Sequence, residues 1–353
     1  MKFYLLKLTG GRERLETVLS STDFQGEAVI LLDTAEKICQ AIGDGCLRDA
    51  HLLFAMGLDE TGINLEWMKV LKCLHLHKES MIGSIGGVIV DGPDDLYTKD
   101  GGRRITFAAN MAGCTFPGKS LVEATGSLRN FDVLAKTMGL SHRKAYEKAC
   151  SDLVKKILDF HEEYESHPRV LMVHASIRKT SNSLMLWSKV AEHLKGQAEV
   201  EEISIRNGEV WDCRGCKYET CVHFGENSSC FYGGVMVEKV YPAIVNSDVL
   251  VLICPNYNDA VSANIMAFIN RLTAVFRTND FSRKRIYALV VSGYSGGDIV
   301  AQQILGAINM NKNFILPGKF ALLTTANAPG SILQIDEIDE LAECFAENIL
   351  LRE

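Results

Sequence analysis

Proline is scarce in this chain, with seven among 353 residues, and basic side chains are outnumbered by acidic ones, 37 to 44. The formal charge of −7 excludes a nucleic-acid binder, because phosphate neutralisation needs clustered Lys and Arg. The one compact basic run, Arg283-Lys284-Arg285, abuts an apolar stretch and reads as a solvated strand entrance. Also missing is any apolar run of about 20 residues, the length a membrane span needs. The opening MKFYLLKLTGG begins like a signal peptide, but charges resume at Arg12 and no small-residue cleavage site follows, so a cytoplasmic location is expected. The eleven cysteines are odd in number and spread through a long chain, unlike a secreted disulfide framework. Cys39, Cys150, Cys254 and Cys344 sit inside apolar patterns and read as buried thiols.

What is present is apolar material for large cores, 47% of residues, in a length that favours two domains. The C-terminal half alternates strand and helix signals. Strands are expected at 169–174, 199–205, 248–254, 285–291 and 319–325, and helices at about 182–194, 235–245, 260–276, 298–308 and 337–350. Asp248–Cys254 (DVLVLIC) is continuously apolar, as expected of a strand covered on both faces. Five strands alternating with five helices imply a doubly wound parallel sheet. The N-terminal half repeats the theme, with strands expected at 3–8, 28–32, 51–56, 87–90 and 104–109. Arg103–Phe107 reads as a counterpart of Lys284–Ala288, suggesting a degenerate internal duplication. A helix capped by Ser141 and a polar linker near 163–168 then divide the chain into domains 1–165 and 166–353.

In open α/β sheets, ligands sit beyond the carboxyl ends of the strands. Three loops of the C-terminal half fall there. The first, Ser176 to Ser183, packs hydroxyls, an amide and two cations at a helix start, where backbone N–H groups and positive charge suit a phosphate. It is neither a Walker loop nor a Gly-x-Gly-x-x-Gly turn, which disfavours nucleoside triphosphates and the usual dinucleotide mode. The competing reading is a polar loop in which Ser181 or Asn182 merely caps the helix. The second loop, Pro255-Asn256-Tyr257-Asn258-Asp259, offers a rigid turn and one ring on which a planar molecule would stack; an ordinary Pro/Asn turn is the alternative. The third, Ser292 to Asp298, has three glycines that permit close backbone approach.

Together these residues resemble the NADPH-dependent FMN reductase and iron-sulfur flavoprotein families, which share a flavodoxin-like fold. Ser176, Arg178, Ser181, Asn182 and Ser183 match the family's first loop, although His174-Ala175 replaces its small strand end. Pro255-Asn256-Tyr257 and Phe268-Ile269-Asn270-Arg271 match its flavin-ring loop and the helix that follows. The resemblance covers about 185 residues. It implies two flavodoxin-like five-stranded domains in tandem, a degenerate N-terminal copy and an FMN-binding C-terminal one. It also implies FMN as cofactor, NAD(P)H as electron donor and a homodimer. The phosphate would lie on the first loop, and the ring would lie against Pro255, Asn256, Tyr257, Asn258, Ser292, Gly293, Gly296 and Gly297. Asp95–Lys99 and Asn110–Gly118 resemble segments of two-domain bacterial members, and the tandem construction resembles flavone-reducing ene-reductases of anaerobic bacteria. The first N-terminal strand is followed by Thr9-Gly10-Gly11-Arg12-Glu13-Arg14 with no hydroxyl cluster, so one FMN per chain is expected.

Cys213, Cys216, Cys221 and Cys230 fall where iron-sulfur flavoproteins hold a 4Fe-4S cluster, but their gaps are wider. A cluster, zinc, or free thiols remain open at this point. Tyr257, Tyr294 and, if the N-terminal domain closes over the site, Tyr97 are the candidate proton donors. The expected activity is hydride transfer through the flavin to a small organic acceptor: a quinone, an azo or nitro compound, or an activated C=C bond. The alternative is an FMN/iron-sulfur protein relaying electrons between protein partners.

Overall fold

A computed structural model describes residues 1–163, 165–176, 180–206 and 210–351. It divides into two compact units, Met1–His161 with Pro317–Lys319, and Glu162–Leu316 with Phe320–Glu353. Among the described residues, no helix is long and apolar enough to cross a membrane.

In the N-terminal unit the order is β1 (Lys2–Leu8), α1 (Glu13–Ser21), β2 (Val29–Leu32), α2 (Ala35–Gly43), β3 (Ala50–Gly57), α3 (Leu65–Leu76), β4 (Ile85–Asp91), α4 (Thr98–Met111), β5 (Leu121–Ala124), α5 (Asp132–Met138) and α6 (His142–Asp159). The five strands are parallel, in the order β2-β1-β3-β4-β5. One face of the sheet packs Phe3, Leu5, Leu53 and Ile89 against apolar residues of α1, α5 and α6. Ser141 caps α6, its hydroxyl accepting from the Lys144 N–H, as the sequence suggests.

The C-terminal unit runs β6 (Arg169–His174), α7 (Asn182–Leu194), β7 (Glu199–Ser204), α8 (Tyr218–Gly225), α9 (Tyr241–Asn246), β8 (Val249–Pro255), α10 (Ala263–Phe276), β9 (Arg285–Ser292), α11 (Gly297–Leu305), β10 (Ala321–Thr325) and α12 (Ile338–Ile349). Its parallel sheet has the order β10-β9-β8-β6-β7, the same topology read from the other edge. This is the flavodoxin-like arrangement, twice over. Every residue from Val249 to Cys254 is buried, because α7 and α12 cover one face and α9, α10 and α11 the other. At the β7 edge, Glu199, Glu201 and Glu202 interrupt the apolar pattern, which discourages pairing with another chain.

One expected strand is not a strand. Residues 104–109 lie inside α4, where Gly102, Ile105, Thr106 and Ala109 are buried at helical spacing. The β-branched pair Ile105-Thr106 imitates a strand locally, but burial follows the 3.6-residue period. The fifth strand is instead the short β5, and the true counterpart of β9 is β4. The two even share an isolated parallel bridge, Ile85 with Thr115 and Arg285 with Ile315. Two of the expected buried thiols also differ. Cys39 is joined to Cys73 by a disulfide linking α2 and α3, with Cα atoms 5.8 Å apart, and Cys344 is exposed on α12. Cys150 and Cys254 are buried, as expected.

Candidate functional site: a cleft beyond the strand ends of the C-terminal unit

The first C-terminal strand, β6, lies between β7 and β8, so connections leave it toward opposite faces and open a crevice at its carboxyl end. An open cleft of about 860 Å³ occupies that position. Ser176, Ser181, Asn182, Ser183, Pro255, Asn256, Tyr257, Asn258 and Gly293 all line it, whereas Ser292, Gly296 and Gly297 do not. Arg178 lies outside the described residues. None of the described lining residues is charged.

The first loop leaves β6 at His174 and enters α7 at Asn182. Ser181 flanks the helix in an extended conformation (φ −69°, ψ 120°) and makes no side-chain capping bond. The first amides of α7 therefore keep their donor capacity toward the cleft. Asn182 serves the framework: its Nδ2 donates to the carbonyls of Ala326 (3.0 Å) and Ala328 (2.9 Å). The loop after β10 is thereby tied to the helix start. Burial pulls the His174 pKa below its usual value, against an upward pull from Glu202, and its Nδ1 has no partner among the described residues.

The second loop is a tight reversal. Asn258 and Asp259 are both left-handed (φ 55° and 54°), and Tyr257 bridges Ala260 in antiparallel fashion. Asn and Asp are the non-glycine residues that best tolerate this conformation. The reversal leaves the Tyr257 ring 62% exposed. Asn256 Nδ2 holds the base of the turn, donating to Ser295 O (2.7 Å), Ser292 Oγ (3.2 Å) and Asp259 Oδ1 (3.2 Å). Ser292 thus supports the second loop from the end of β9. Gly296 does so through its lack of a side chain: at φ +80°, a Cβ there would overlap Asp259 Oδ1. Tyr294 is 81% exposed, and its hydroxyl accepts from Asn327 Nδ2 at 2.6 Å.

Sequence reasoning missed a fourth wall. Ala326, Asn327 and Pro329, after β10, line the cleft, as do Val261, Ser262 and Asn264 at the start of α10. The strand-end rule that located the other loops also points to 326–330, but that stretch carries no hydroxyl or aromatic cluster to attract notice. Asn264 Nδ2 donates to the carbonyls of Ile205 (2.9 Å) and Arg206 (2.5 Å), fixing the loop after β7. Ser262 Oγ and Asn256 Oδ1 are buried with no partner among the described residues. Buried polar atoms are ordinarily paired, so both are candidate ligand contacts.

Cys213, Cys216, Cys221 and Cys230 do come together around one small cavity, with Arg271, Asn270 and Tyr232. Among the described residues, however, no three His, Cys, Asp or Glu side chains are placed to hold a metal ion. Of the readings left open by the sequence, the 4Fe-4S cluster is therefore not supported. Tyr218–Gly225 folds as α8 within the motif, carrying Cys221.

At the equivalent strand ends of the N-terminal unit a smaller cleft, about 380 Å³, opens beside Lys7, Thr9, Gly10 and Asp33, and the neighbouring strand ends are bound by an ion-pair network. Asp91, at the end of β4, is fully buried. It accepts from Arg14 Nε (2.8 Å), Arg14 Nη2 (2.9 Å) and Arg12 (3.3 Å). Arg14 also donates to the carbonyls of Gly92, Ala124 and Gly126. Tyr97 belongs to this unit, left-handed (φ 68°) before α4 and packed on Gly62.

Residues 168–327, just under half of the chain, match the sequence model of the NADPH-dependent FMN reductase family. Apart from Pro317–Lys319, the match lies within the C-terminal unit and marks it as an FMN-dependent NAD(P)H oxidoreductase domain. Solved structures similar in fold include a Trp repressor binding protein from Bacillus subtilis, 19% identical, covering 50% of this chain and 99% of its own (TM-score 0.36). An NAD(P)H:quinone oxidoreductase from Methanothermobacter marburgensis is 14% identical over 52% of this chain and 96% of its own (TM-score 0.40). A flavodoxin, WrbA-like protein from Agrobacterium tumefaciens is 14% identical over 53% and 99% (TM-score 0.33). No curated protein sequence matches the chain significantly.

Proposed function

We propose that the C-terminal unit binds one FMN per chain and carries hydride from NAD(P)H to a small organic acceptor: a quinone, an azo or nitro compound, or an activated C=C bond such as an enone or flavone. The observation that carries this reading is the cleft itself. It joins an uncapped, hydroxyl-rich helix start to an exposed tyrosine turn across the strand ends of one sheet. The residues fit an FMN. The volume is in the range of cofactor sites. The amides of α7 with Ser176, Ser181 and Ser183 suit a phosphomonoester. Ser262 Oγ and Asn256 Oδ1 are buried atoms in need of partners. When bound, the flavin supplies the hydride chemistry that no side chain here offers.

The protein's tasks are then to bind, orient and exclude water. In this reading Tyr257 presents a stacking face, with Pro255, Asn256 and Asn258 along its edge. Gly293 allows close backbone approach from the neighbouring loop, while Ser292 and Gly296 support the Tyr257 turn from outside the cleft. The Tyr294 hydroxyl accepts from Asn327, which leaves its own proton free for donation. The loop after β1 carries the Arg12–Asp91–Arg14 network in place of a hydroxyl cluster, in keeping with a structural or dimer-forming N-terminal domain and a single flavin per chain. A cytoplasmic homodimer completes the proposal.

The test is the visible spectrum and FMN content of the purified chain, followed by a steady-state screen of acceptors with NADH and NADPH. Two flavin bands, near one FMN per chain and acceptor-dependent oxidation of either nucleotide are expected. Colourless protein that FMN cannot reconstitute would sink the reading. Relay of electrons between proteins requires a second centre, so iron and sulfide analysis of anaerobically purified protein decides that alternative. Iron-free protein removes it.

A further inference from the structure

The turn that presents Tyr257 is held from behind by a residue outside the cleft. Gln303, on α11, places its side-chain amide against the backbone of that turn. Its Oε1 accepts from the Val261 N–H at 3.0 Å, and its Nε2 donates to the Asp259 carbonyl at 3.1 Å. One planar amide therefore satisfies a donor and an acceptor two residues apart on the same strap. Asn256 holds the entrance of the strap, and Gln303 holds its exit. Between the two grips lie Asn258 and Asp259, both left-handed. Consecutive non-glycine residues keep that conformation only where the surroundings over-determine it. Gln303 is half-buried and is not among the described residues lining the cleft.

We propose that Gln303 is a positioning residue for the flavin-ring turn: it touches neither cofactor nor substrate and acts by fixing the backbone that presents Tyr257. This rests on the FMN-binding reading above. The chemistry demands both halves of an amide. A glutamate at 303 retains the acceptor for Val261 and loses the donor for Asp259. A methionine retains the length and loses both. Both substitutions therefore loosen the turn, Q303M by removing the two bonds and Q303E by setting a carboxylate oxygen against the Asp259 carbonyl.

The test is titration of the full-length apoprotein with FMN, followed by quenching of flavin fluorescence, in wild type, Q303M, Q303E, Y257A and Q303M/Y257A. Q303M is expected to weaken FMN binding about tenfold, the scale for losing two hydrogen bonds in a partly buried turn. Q303E is expected to weaken binding at least as much, because its carboxylate faces the Asp259 carbonyl. In the Y257A background Q303M should change the Kd less than twofold, because no ring is left to position. A purely structural role would lower affinity by the same factor in both backgrounds, and that result overturns the proposal. Wild-type affinity in Q303M overturns it equally, as does a weak Q303M beside an unaffected Y257A. If the wild-type chain takes up no FMN, the functional reading itself has failed, and the role of Gln303 falls with it.

Discussion

Replacing Arg14 with methionine separates the two units experimentally. Arg14 gives the fully buried Asp91 two charge-assisted hydrogen bonds, at 2.8 and 2.9 Å, and gives three carbonyls one bond each. In R14M the carboxylate keeps Arg12 as its ion-pair partner among the described residues, at 3.3 Å and from a side chain still 27% exposed. Breaking a buried ion pair by removing one partner costs about 3 to 5 kcal/mol, and the surviving Arg12 places R14M near the lower bound, about 3 kcal/mol. With a urea slope of roughly 2 kcal/mol/M for a unit of this size, the midpoint of the N-terminal unit should fall by about 1.5 M. Trp67 is the N-terminal unit's own tryptophan and is buried, so its fluorescence in a W187F/W211F background reports that transition alone. The flavin content of R14M in buffer should equal that of the parent, because the proposed site lies wholly in the other unit. A midpoint shift below about 0.3 M would refute the energetic reasoning. Loss of FMN in step with the mutation would refute the assignment of the flavin to the C-terminal cleft.

Three further outcomes are expected. Gly296→Ala forces a Cβ onto Asp259 Oδ1 at a left-handed position, so it should weaken FMN binding at least tenfold by fluorescence titration. Burial depresses the His174 pKa in the folded chain, so the unfolded state binds more protons below the ordinary value of 6.5. Stability from this group is then complete above pH 6.5 and is lost as pH falls below it. The urea midpoint of the C-terminal unit should drop between pH 7.5 and 5.5, and His174→Asn should flatten that drop. Burial also pushes the Cys254 thiol to about 12, and the Cys114 and Cys150 thiols are raised in the same way. Iodoacetamide at pH 8 should therefore label Cys46, Cys213 and Cys344, which are exposed, and spare those three in peptide mass spectra of the native chain.

Much of this protein was determined by sequence alone. Alternating apolar strands and helical periods specify a parallel doubly wound sheet, because buried strands and covering helices leave distinct patterns along the chain. Ser176 to Ser183 and Pro255 to Asn258 could be located because strand ends are where such sheets bind ligands, and hydroxyls, amides and one ring stand out there. Other features exist only between residues distant in the chain. Arg12 and Arg14 meet Asp91 across nearly 80 residues, and Gln303 grips the Tyr257 turn across more than 40. A lone Gln or Arg carries no local pattern that names its partner. Residues 104–109 show the reverse failure, since a β-branched pair can serve either period and only the side it buries decides. The four cysteines could be counted in the sequence, but that they line one cavity without a metal-holding group among the described residues is a property of three dimensions.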